Sequence, residues 1–484
     1  MPIENKVTQI KHSILTKIAY AVRFNRLVED IGKIPGTVIP QNSKSFRCCI
    51  YRDREIVKHR TLGALGFSLE SEAEIDCTSL STYAKRALER EEPSLPILTF
   101  IDEACKTCVR ANYFVSNICS NCVSRRCTIV CPKQAIENKE HAAFINPEKC
   151  INCGLCQKEC PFHAIVYVPV PCEEACPVNA IRRNADGKQF IDDDKCISCG
   201  KCLNACPFGA VVDKSQIVDV LKNIQQGKKL VAIIAPSIVG QFEYSIDSIS
   251  SKLRAIGFFD TLEVAVGADK TRYHEANEFE EKMKNGQSVM GTSCCPAYVE
   301  AVKKHALSFT TFLSHTLTPM EYTAQIVKER IPDALVAFIG PCTAKKFEGL
   351  KSENVDFVLT FEELNAIFKA YEDILPSRQE FSSVFSDIKP SNYGRGFPIT
   401  NGVANAVMNL LNDKNKCKPV FIDGLDKKNI KLLSAYAKKA PGNLIEVMSC
   451  KGGCMSGPCV IKTSSETNKA LNEFLKACDN EGHS

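Results

Sequence analysis

Thiols are the chemistry this sequence offers most of: 27 of its 484 residues are cysteine. Two runs share three short spacings closed by Cys-Pro: Cys150-x2-Cys153-x2-Cys156-x3-Cys160-Pro161 and Cys196-x2-Cys199-x2-Cys202-x3-Cys206-Pro207. Three thiolates on one tight loop wrap three corners of a 4Fe-4S cube, and the fourth, before proline, points to a neighbouring cube. Zinc also takes C-x2-C pairs, but a third short spacing and a Cys-Pro end, twice over, favour iron and sulfide. An odd number of cysteines in a long chain argues against a disulfide framework and for metal-held thiolates in a reducing compartment.

A third run, Cys119-x2-Cys122-x4-Cys127-x3-Cys131-Pro132, is a variant of the same ferredoxin-type pattern, and "PCEEACPVNAI" adds Cys172 and Cys176. With Cys105 and Cys108 of "ACKTC" the total is sixteen, enough for four cubes. Crossing the fourth ligand between neighbours gives Cys119, Cys122 and Cys127 with Cys160; Cys150, Cys153 and Cys156 with Cys131; and Cys196, Cys199 and Cys202 with Cys176. By arithmetic, Cys105, Cys108, Cys172 and Cys206 make the fourth set. The alternative, that Cys105 and Cys108 are incidental and this half-module is empty, stays open. Four clusters form an electron path, and a path implies a reaction at its end.

Further along, cysteines occur in small islands: "GTSCCPAYVE" with Cys294 and Cys295, "GPCTAKKFE" with Cys342, and "EVMSCKGGCMSGPC" with Cys450, Cys454 and Cys459. Cys295, Cys342, Cys450 and Cys454 follow strand-like runs in Gly- and Pro-marked loops, and four converging thiolates would hold one more 4Fe-4S cluster.

The elements that must position these groups fall into three predicted domains: 1–100, of unknown role; 101–212, a ferredoxin-like α+β region of two dicluster modules; and 213–484, an α/β domain. In the last, "KLVAIIAPS", "LVAFIGPC" and "VDFVLT" read as buried strands and "QIVDVLKNIQQ" and "FEELNAIFKAY" as helices, a pattern of largely parallel sheets. Sites in such sheets lie in loops beyond the carboxyl ends of strands, where "APS" at 235–237 and "GPC" at 340–342 fall. In the first domain, Ile10, Ile14 and Ile18 predict an amphipathic helix, "STYAKRALEREE" another, and "SFRCCIYRD" a strand. Hydrophobic residues at 44%, charged residues at 24% and a net charge of +5 without a basic block give no reason to invoke nucleic acid or disorder. No apolar run approaches the roughly 18–20 residues needed to span a bilayer, so a soluble cytoplasmic protein is expected.

The islands resemble the three signature motifs of the iron-only (FeFe) hydrogenases, T-S-C-C-P-x-W, M-P-C-x-x-K-x-x-E and E-x-M-A-C-x-x-G-C. "GADKTRYHEANE" and "FLSHTLTPM" resemble flanking segments of the same family, and the cysteine-rich region its accessory wire. The resemblance implies an H-cluster, a 4Fe-4S cube sharing one cysteine with a two-iron unit that carries CO, cyanide and an amine dithiolate. Carried over by position, Cys295, Cys342 and Cys450 would hold the cube and Cys454 would bridge to the two-iron unit. Cys294 would pass protons to a relay of Glu275, Glu278, Ser314 and, with a one-residue gap, Lys282. Lys345, Ser237 and the backbone near Pro236 would bind cyanide, Glu348 would orient its loop, and Met448 would pack on the two-iron unit. The implied activity is reversible 2H+ + 2e− ⇌ H2 in an anaerobic setting, with a ferredoxin-like carrier as partner and maturation proteins supplying the two-iron unit. The alternatives are an H2 sensor and a non-catalytic iron–sulfur assembly relative.

The pattern also departs from the family. Tyr298 stands for Trp, Gly340 for Met, Ser449 for Ala, and "SGPC" for a glycine run, as in a divergent, group B-like branch. Loss of the Met at 340 implies a lost apolar contact beside the cluster. Cys459 reads as a packed small residue or an extra thiol, and Cys48, Cys49, Cys77, Cys417 and Cys478 are expected to be buried free thiols.

Overall fold

The computed structural model describes residues 5–70, 77–105, 108, 112–184, 188–376 and 382–481. At the N-terminus, Asn5 caps helix Lys6–Arg23 by accepting from the Thr8 amide at 3.0 Å. That helix buries Ile10, Ile14 and Ile18 as their spacing predicts. It packs on helices Ile217–Gln225 and Phe361–Ala370 of the C-terminal part, so the first helices and the parallel sheet share one hydrophobic core. Helix Leu80–Glu89 forms where "STYAKRALEREE" places it.

The strand expected at "SFRCCIYRD" does not form. Residues 45–49 are irregular and helix Ile50–Ala64 begins directly after them. The cause is Asp53, in the first turn, whose carboxylate accepts from the Phe46 amide at 2.8 Å and the Ser45 hydroxyl at 2.9 Å. These bonds curl the segment back onto the helix and take the groups a strand would offer to a neighbour.

The cysteine-rich region is built from short antiparallel pairs: β1 (Leu98–Phe100), β2 (Tyr113–Val115), β3 (Ile136–Asn138), β4 (Ala143–Ile145), β5 (Ile165–Tyr167), β6 (Ile181–Arg183), β7 (Gln189–Ile191) and β8 (Val211–Asp213). β1 pairs with β8, β2 with β5, β3 with β4 and β6 with β7. In the C-terminal part β9 (Leu230–Ile234), β10 (Asp260–Glu263), β12 (Leu335–Gly340) and β13 (Phe357–Thr360) form a parallel sheet in the order β10-β9-β12-β13. A second parallel sheet orders β11 (Met290–Gly291), β15 (Leu444–Met448) and β14 (Pro419–Asp423) as β11-β15-β14. All five residues of β9 are buried, as expected of a strand covered on both faces. The chain is thus a mixed α/β multidomain protein in which a ferredoxin-type region precedes the α/β part.

The two regions meet at residues 198–204, the turn before helix Lys201–Ala205 and its first residues. The Thr343 hydroxyl donates to the Ser198 carbonyl at 2.8 Å, and the Asn204 amide to the Pro458 carbonyl at 3.0 Å. Gly200, at φ +72°, lies between them: a Cβ there would meet Thr343 Oγ1 at 2.5 Å and Pro458 at 2.8 Å. Only glycine allows this backbone conformation and this approach together.

Candidate metal centre and proton path

The ferredoxin-type cysteines follow a local rule repeated four times. In each Cys-Pro-x-x-Ala turn the alanine amide reaches back to the sulfur: Ala135 to Cys131 at 3.3 Å, Ala164 to Cys160 at 3.4 Å, Ala180 to Cys176 at 3.2 Å and Ala210 to Cys206 at 3.3 Å. The residue before each alanine, Gln134, His163, Asn179 or Gly209, takes positive φ, which turns the amide toward the thiol. Such N–H donors favour the thiolate.

Within the ferredoxin-type region the thiols lie close to one another in groups. Burial pushes Cys172 up to about 12, with Cys206, Cys105 and Cys108 close enough to add to the shift. Burial likewise raises Cys196 to about 12 and Cys202 well above the usual range, and each has Cys176 among its charged neighbours. Cys156 is raised to about 11 by burial, with Cys150, Cys153 and Cys131 beside it. Cys119, Cys127 and Cys160 pack against the core of the same module, where Cys122 accompanies them in the Cys119 loop. Among the described residues no three His, Cys, Asp or Glu groups draw together as ligands of a single ion would. Ligands of a cube stand farther apart, at its corners.

In the α/β part, Cys295, Cys342, Cys450 and Cys454 line one cavity of about 880 Å³, open mouth included. Cys295 is the N-cap of helix Pro296–His305 and Cys342 that of Thr343–Gly349. The amides of Ser449, Tyr298 and Ala297 face the Cys295 sulfur and those of Lys345 and Ala344 the Cys342 sulfur, and they offset part of a burial that pushes Cys342 up to about 12. Helix N-termini are suited to thiolates. Cys450 and Cys454 sit in the loop after β15, and the Cys454 amide donates to the Pro398 carbonyl at 2.7 Å. Cys199 of the ferredoxin-type region lines the same cavity, so that region and this site share a wall.

Lys345 reaches the cavity and bonds Glu348 at 2.7 Å and the Thr318 hydroxyl at 3.3 Å. Burial opposes its charge, but Glu348 and the nearby thiols hold its pKa above the usual range. Pro236, Ser237 and Met448 also line the cavity. The buried hydroxyls of Ser237 and Ser449 have no hydrogen-bond partner among the described residues. Four thiols, two of them with backbone amides beside the sulfur, one cation and two orphaned hydroxyls around an apolar cavity fit an anionic cluster with polar ligands.

Behind the cavity, Glu275 and Glu278 share a face of helix Ala265–Lys284. Glu275 is fully buried; burial raises its pKa to about 7, and its Oε2 is unpartnered. Oε1 accepts from the Ser293 amide at 2.9 Å, and Cys294, whose pKa burial drives well up, is raised further by the charge of Glu275. Glu278 accepts from the Ser314 hydroxyl at 2.6 Å and pairs with Lys282 at 2.8 Å, and these partners hold it low against partial burial. Between the two glutamates stand Ser293, donating from its hydroxyl to Glu275 at 3.3 Å and to the Thr316 carbonyl at 2.7 Å, and Thr316, donating to Glu278 at 3.0 Å.

Residues 228–458 match the family model described as iron only hydrogenase large subunit, C-terminal domain. This part of the chain belongs to the iron-only hydrogenase family. Residues 143–166 match the 4Fe-4S binding domain and 166–217 the LdpA Fe-S cluster-binding domain, so ferredoxin-type iron–sulfur modules precede the hydrogenase domain. The chain is 24% identical over 284 residues to Iron hydrogenase 1 of Clostridium pasteurianum, covering 48% of this chain and 50% of that protein. It is 26% identical over 412 residues to the periplasmic [Fe] hydrogenase large subunit of Nitratidesulfovibrio vulgaris, covering 71% of this chain and 93% of that one. The alignment thus spans about half of the first relative and nearly all of the second. A FeFe-hydrogenase structure from Chlamydomonas reinhardtii aligns at 18% identity with TM-score 0.45, covering 53% of this chain and 88% of that one. No helix among the described residues is long and apolar enough to cross a membrane.

Several details of the hydrogenase domain were not legible in its motifs. The apolar contact expected to be lost with Gly340 is supplied by Phe338: its ring lines the cavity and stands 2.4 Å from where a Cβ at 340 would lie. Tyr298 is wholly buried, its hydroxyl lodged against Gly291. Glu446, three residues upstream of Ser449, accepts from the Asn401 amide at 2.8 Å and the Ala404 amide at 2.8 Å. It thereby fixes the loop whose Pro398 carbonyl anchors Cys454. Cys459 is buried beside Asp213, Lys11 and Lys346, and Cys417 is buried in an apolar cluster. Cys48, Cys49 and Cys77 are exposed, contrary to the expectation of burial.

Proposed function

We propose that this chain is a hydrogenase catalysing reversible 2H+ + 2e− ⇌ H2, with electrons relayed through four 4Fe-4S clusters to or from a ferredoxin-like carrier. The observation that carries this reading is the adjacency of Cys294, backed by buried Glu275, to Cys295 in the wall of a four-cysteine cavity. When bound, an H-cluster would supply the open iron site and the electrons for H2 chemistry. Cys295, Cys342, Cys450 and Cys454 are the residues to hold it.

The chain's own residues then divide the remaining work. The Cys294 thiol holds a proton at the cavity wall, since burial keeps it uncharged. Glu275, raised to about 7, exchanges protons near neutrality, as a group in a relay must. Ser293 and Thr316 bridge toward Glu278, from which Ser314 and Lys282 lead outward, Lys282 being only part-buried. Lys345, steered by Glu348, presents a positive charge to anionic groups in the cavity, while Ser237 offers a free hydroxyl. Phe338 and Met448 keep the wall apolar. Cys199 lines the cavity from the ferredoxin-type region, so electrons would enter by a different element from the helix that carries the two glutamates. The reading extends to assembly by hydrogenase maturation proteins and to an anaerobic cytoplasm, which suits 27 cysteines without a disulfide.

Infrared spectroscopy on anaerobically matured protein, with H2 evolution assayed on the same sample, tests this. CO and cyanide stretching bands with turnover support the hydrogenase. Bands without turnover favour an H2 sensor, and no bands after proven maturation favours an iron–sulfur assembly relative.

A further inference from the structure

Cys48 and Cys49 lie outside every cluster set and are exposed, and their sulfurs stand 3.9 Å apart. The backbone at Cys49 is extended (φ −163°, ψ 163°), and Cys49 caps helix Ile50–Ala64. Arg52, in the first turn of that helix, stands beside Cys48 and holds its thiol below the usual range, with help from Cys49. An accessible thiol with enhanced thiolate character and a second thiol in reach is the arrangement of an exchange site, one sulfur to attack and one to resolve.

We propose that Cys48 and Cys49 form a thiol–disulfide exchange site that reacts with low-molecular-weight disulfides and closes to a vicinal Cys48–Cys49 disulfide. The Cys48 thiolate attacks one sulfur of the small disulfide, a Cys48–S bond forms, the small S–S bond breaks, and the released thiolate takes the proton Cys48 gave up. Deprotonated Cys49 then attacks the Cys48 sulfur, the internal S–S bond forms, and the second small thiolate leaves with the Cys49 proton. Two protein thiols are oxidised by two electrons and one small disulfide is reduced to two thiols.

The product is built to be reversible. Adjacent Cα atoms are about 3.8 Å apart across a trans peptide, short of the roughly 4.4–6.8 Å that disulfides usually span. The extended backbone at Cys49 must bend to close the ring, and a strained, exposed disulfide is readily reduced. The bend is placed where it is felt. Arg47 donates to the Ala104 carbonyl at 3.1 Å and Arg52 to the Glu103 carbonyl at 3.4 Å, the two residues that precede Cys105. The pair thus sits between two anchors of the segment that presents Cys105.

The test uses the full chain with its clusters, held anaerobically with oxidised glutathione, then quenched with N-ethylmaleimide and mapped by peptide mass. Exposed Cys77 is the internal reference. The expected result is a Cys48–Cys49 peptide lighter by two hydrogens, closed to N-ethylmaleimide, formed before Cys77 is modified, and restored by dithiothreitol. Cys49→Ser should stop at a glutathione adduct on Cys48. Arg52→Ala should slow the first step about threefold, because the lost thiolate is partly offset by greater nucleophilicity. A pair that stays fully alkylated while Cys77 carries glutathione overturns the proposal, as does an Arg52→Ala rate equal to that of the unmodified chain.

Discussion

Glu275 accepts a hydrogen bond from the amide of Ser293 at 2.9 Å, the residue immediately before Cys294, while its other oxygen is buried without a partner. One oxygen is thus fixed by the backbone that carries the cavity's free thiol, and the other is left to carry a proton. Burial raises the group to about 7, so it is protonated below neutrality and ionised above. In the unfolded chain a glutamate ionises near 4.3. Between those values the folded chain binds the extra proton, so this group's contribution to stability falls as pH rises across that window and is level beyond it. Infrared difference spectra should show a protonated carboxyl band that disappears with a midpoint near pH 7 and is missing in Glu275→Gln. Glu446, also raised to about 7 by burial, should give a second band that survives that substitution. A spectrum unchanged in Glu275→Gln would remove the carboxyl from the path.

Cys294 is the only thiol of the neighbouring pair left without a cluster role in the reading above. Cys294→Ala should therefore retain CO and cyanide bands while H2 turnover falls by at least about 10²-fold, the usual scale for losing a positioned proton carrier. Full turnover in this variant would place the proton route elsewhere.

Much of this arrangement is legible in the sequence. Continuous apolar runs such as "LVAII" announced buried parallel strands, and i, i+3 spacing placed Glu275 and Glu278 on one face. What was not legible depends on contacts between distant segments. Ser293 and Thr316 lie inside family-like segments, but nothing in their spacing marks them as a bridge: they matter because the turn after β11 and the 314–318 loop come together beside the glutamates. Phe338 takes over the apolar contact at Gly340 because strand alternation puts residues two apart on one face. The segment at Cys48 and Cys49 looked like a strand by composition, and Asp53 turned it into a helix start.

Cys454 differs from the other three cavity cysteines in being held by a backbone bond to Pro398 in the loop that Glu446 fixes. Under the proposed function it joins the two halves of the cofactor. Cys454→Ser should abolish stable retention of the two-iron unit, read as loss of CO and cyanide bands after maturation. Bands of undiminished intensity would contradict the bridging assignment.

Lys346, next to the cavity's Lys345, faces away into a buried charge network. Its ammonium lies 2.9 Å from Asp213 and 3.1 Å from Glu363, and donates to the Lys214 carbonyl at 2.9 Å. Lys11 of the first helix joins it at 2.6 Å from both Asp213 and Glu362. Burial works against these charges, yet the two lysines hold Asp213 well below the usual carboxylate range. Asp213 ends β8, the last strand of the ferredoxin-type region, and Lys346 lies on the helix that starts at Cys342. The network therefore ties the N-terminal helix, the ferredoxin-type region and the helix that starts at Cys342 together at one point. Removing one partner of such a pair leaves buried charge uncompensated, at a cost of about 3–5 kcal/mol. Lys346→Met should accordingly lower the thermal midpoint by roughly 5–10 °C at a fixed scan rate, and Asp213→Asn in the same chain should recover part of the loss. A single-variant shift below roughly 2 °C would mean that the lysine is compensated by its remaining neighbours and that the three regions are joined chiefly by their shared apolar core.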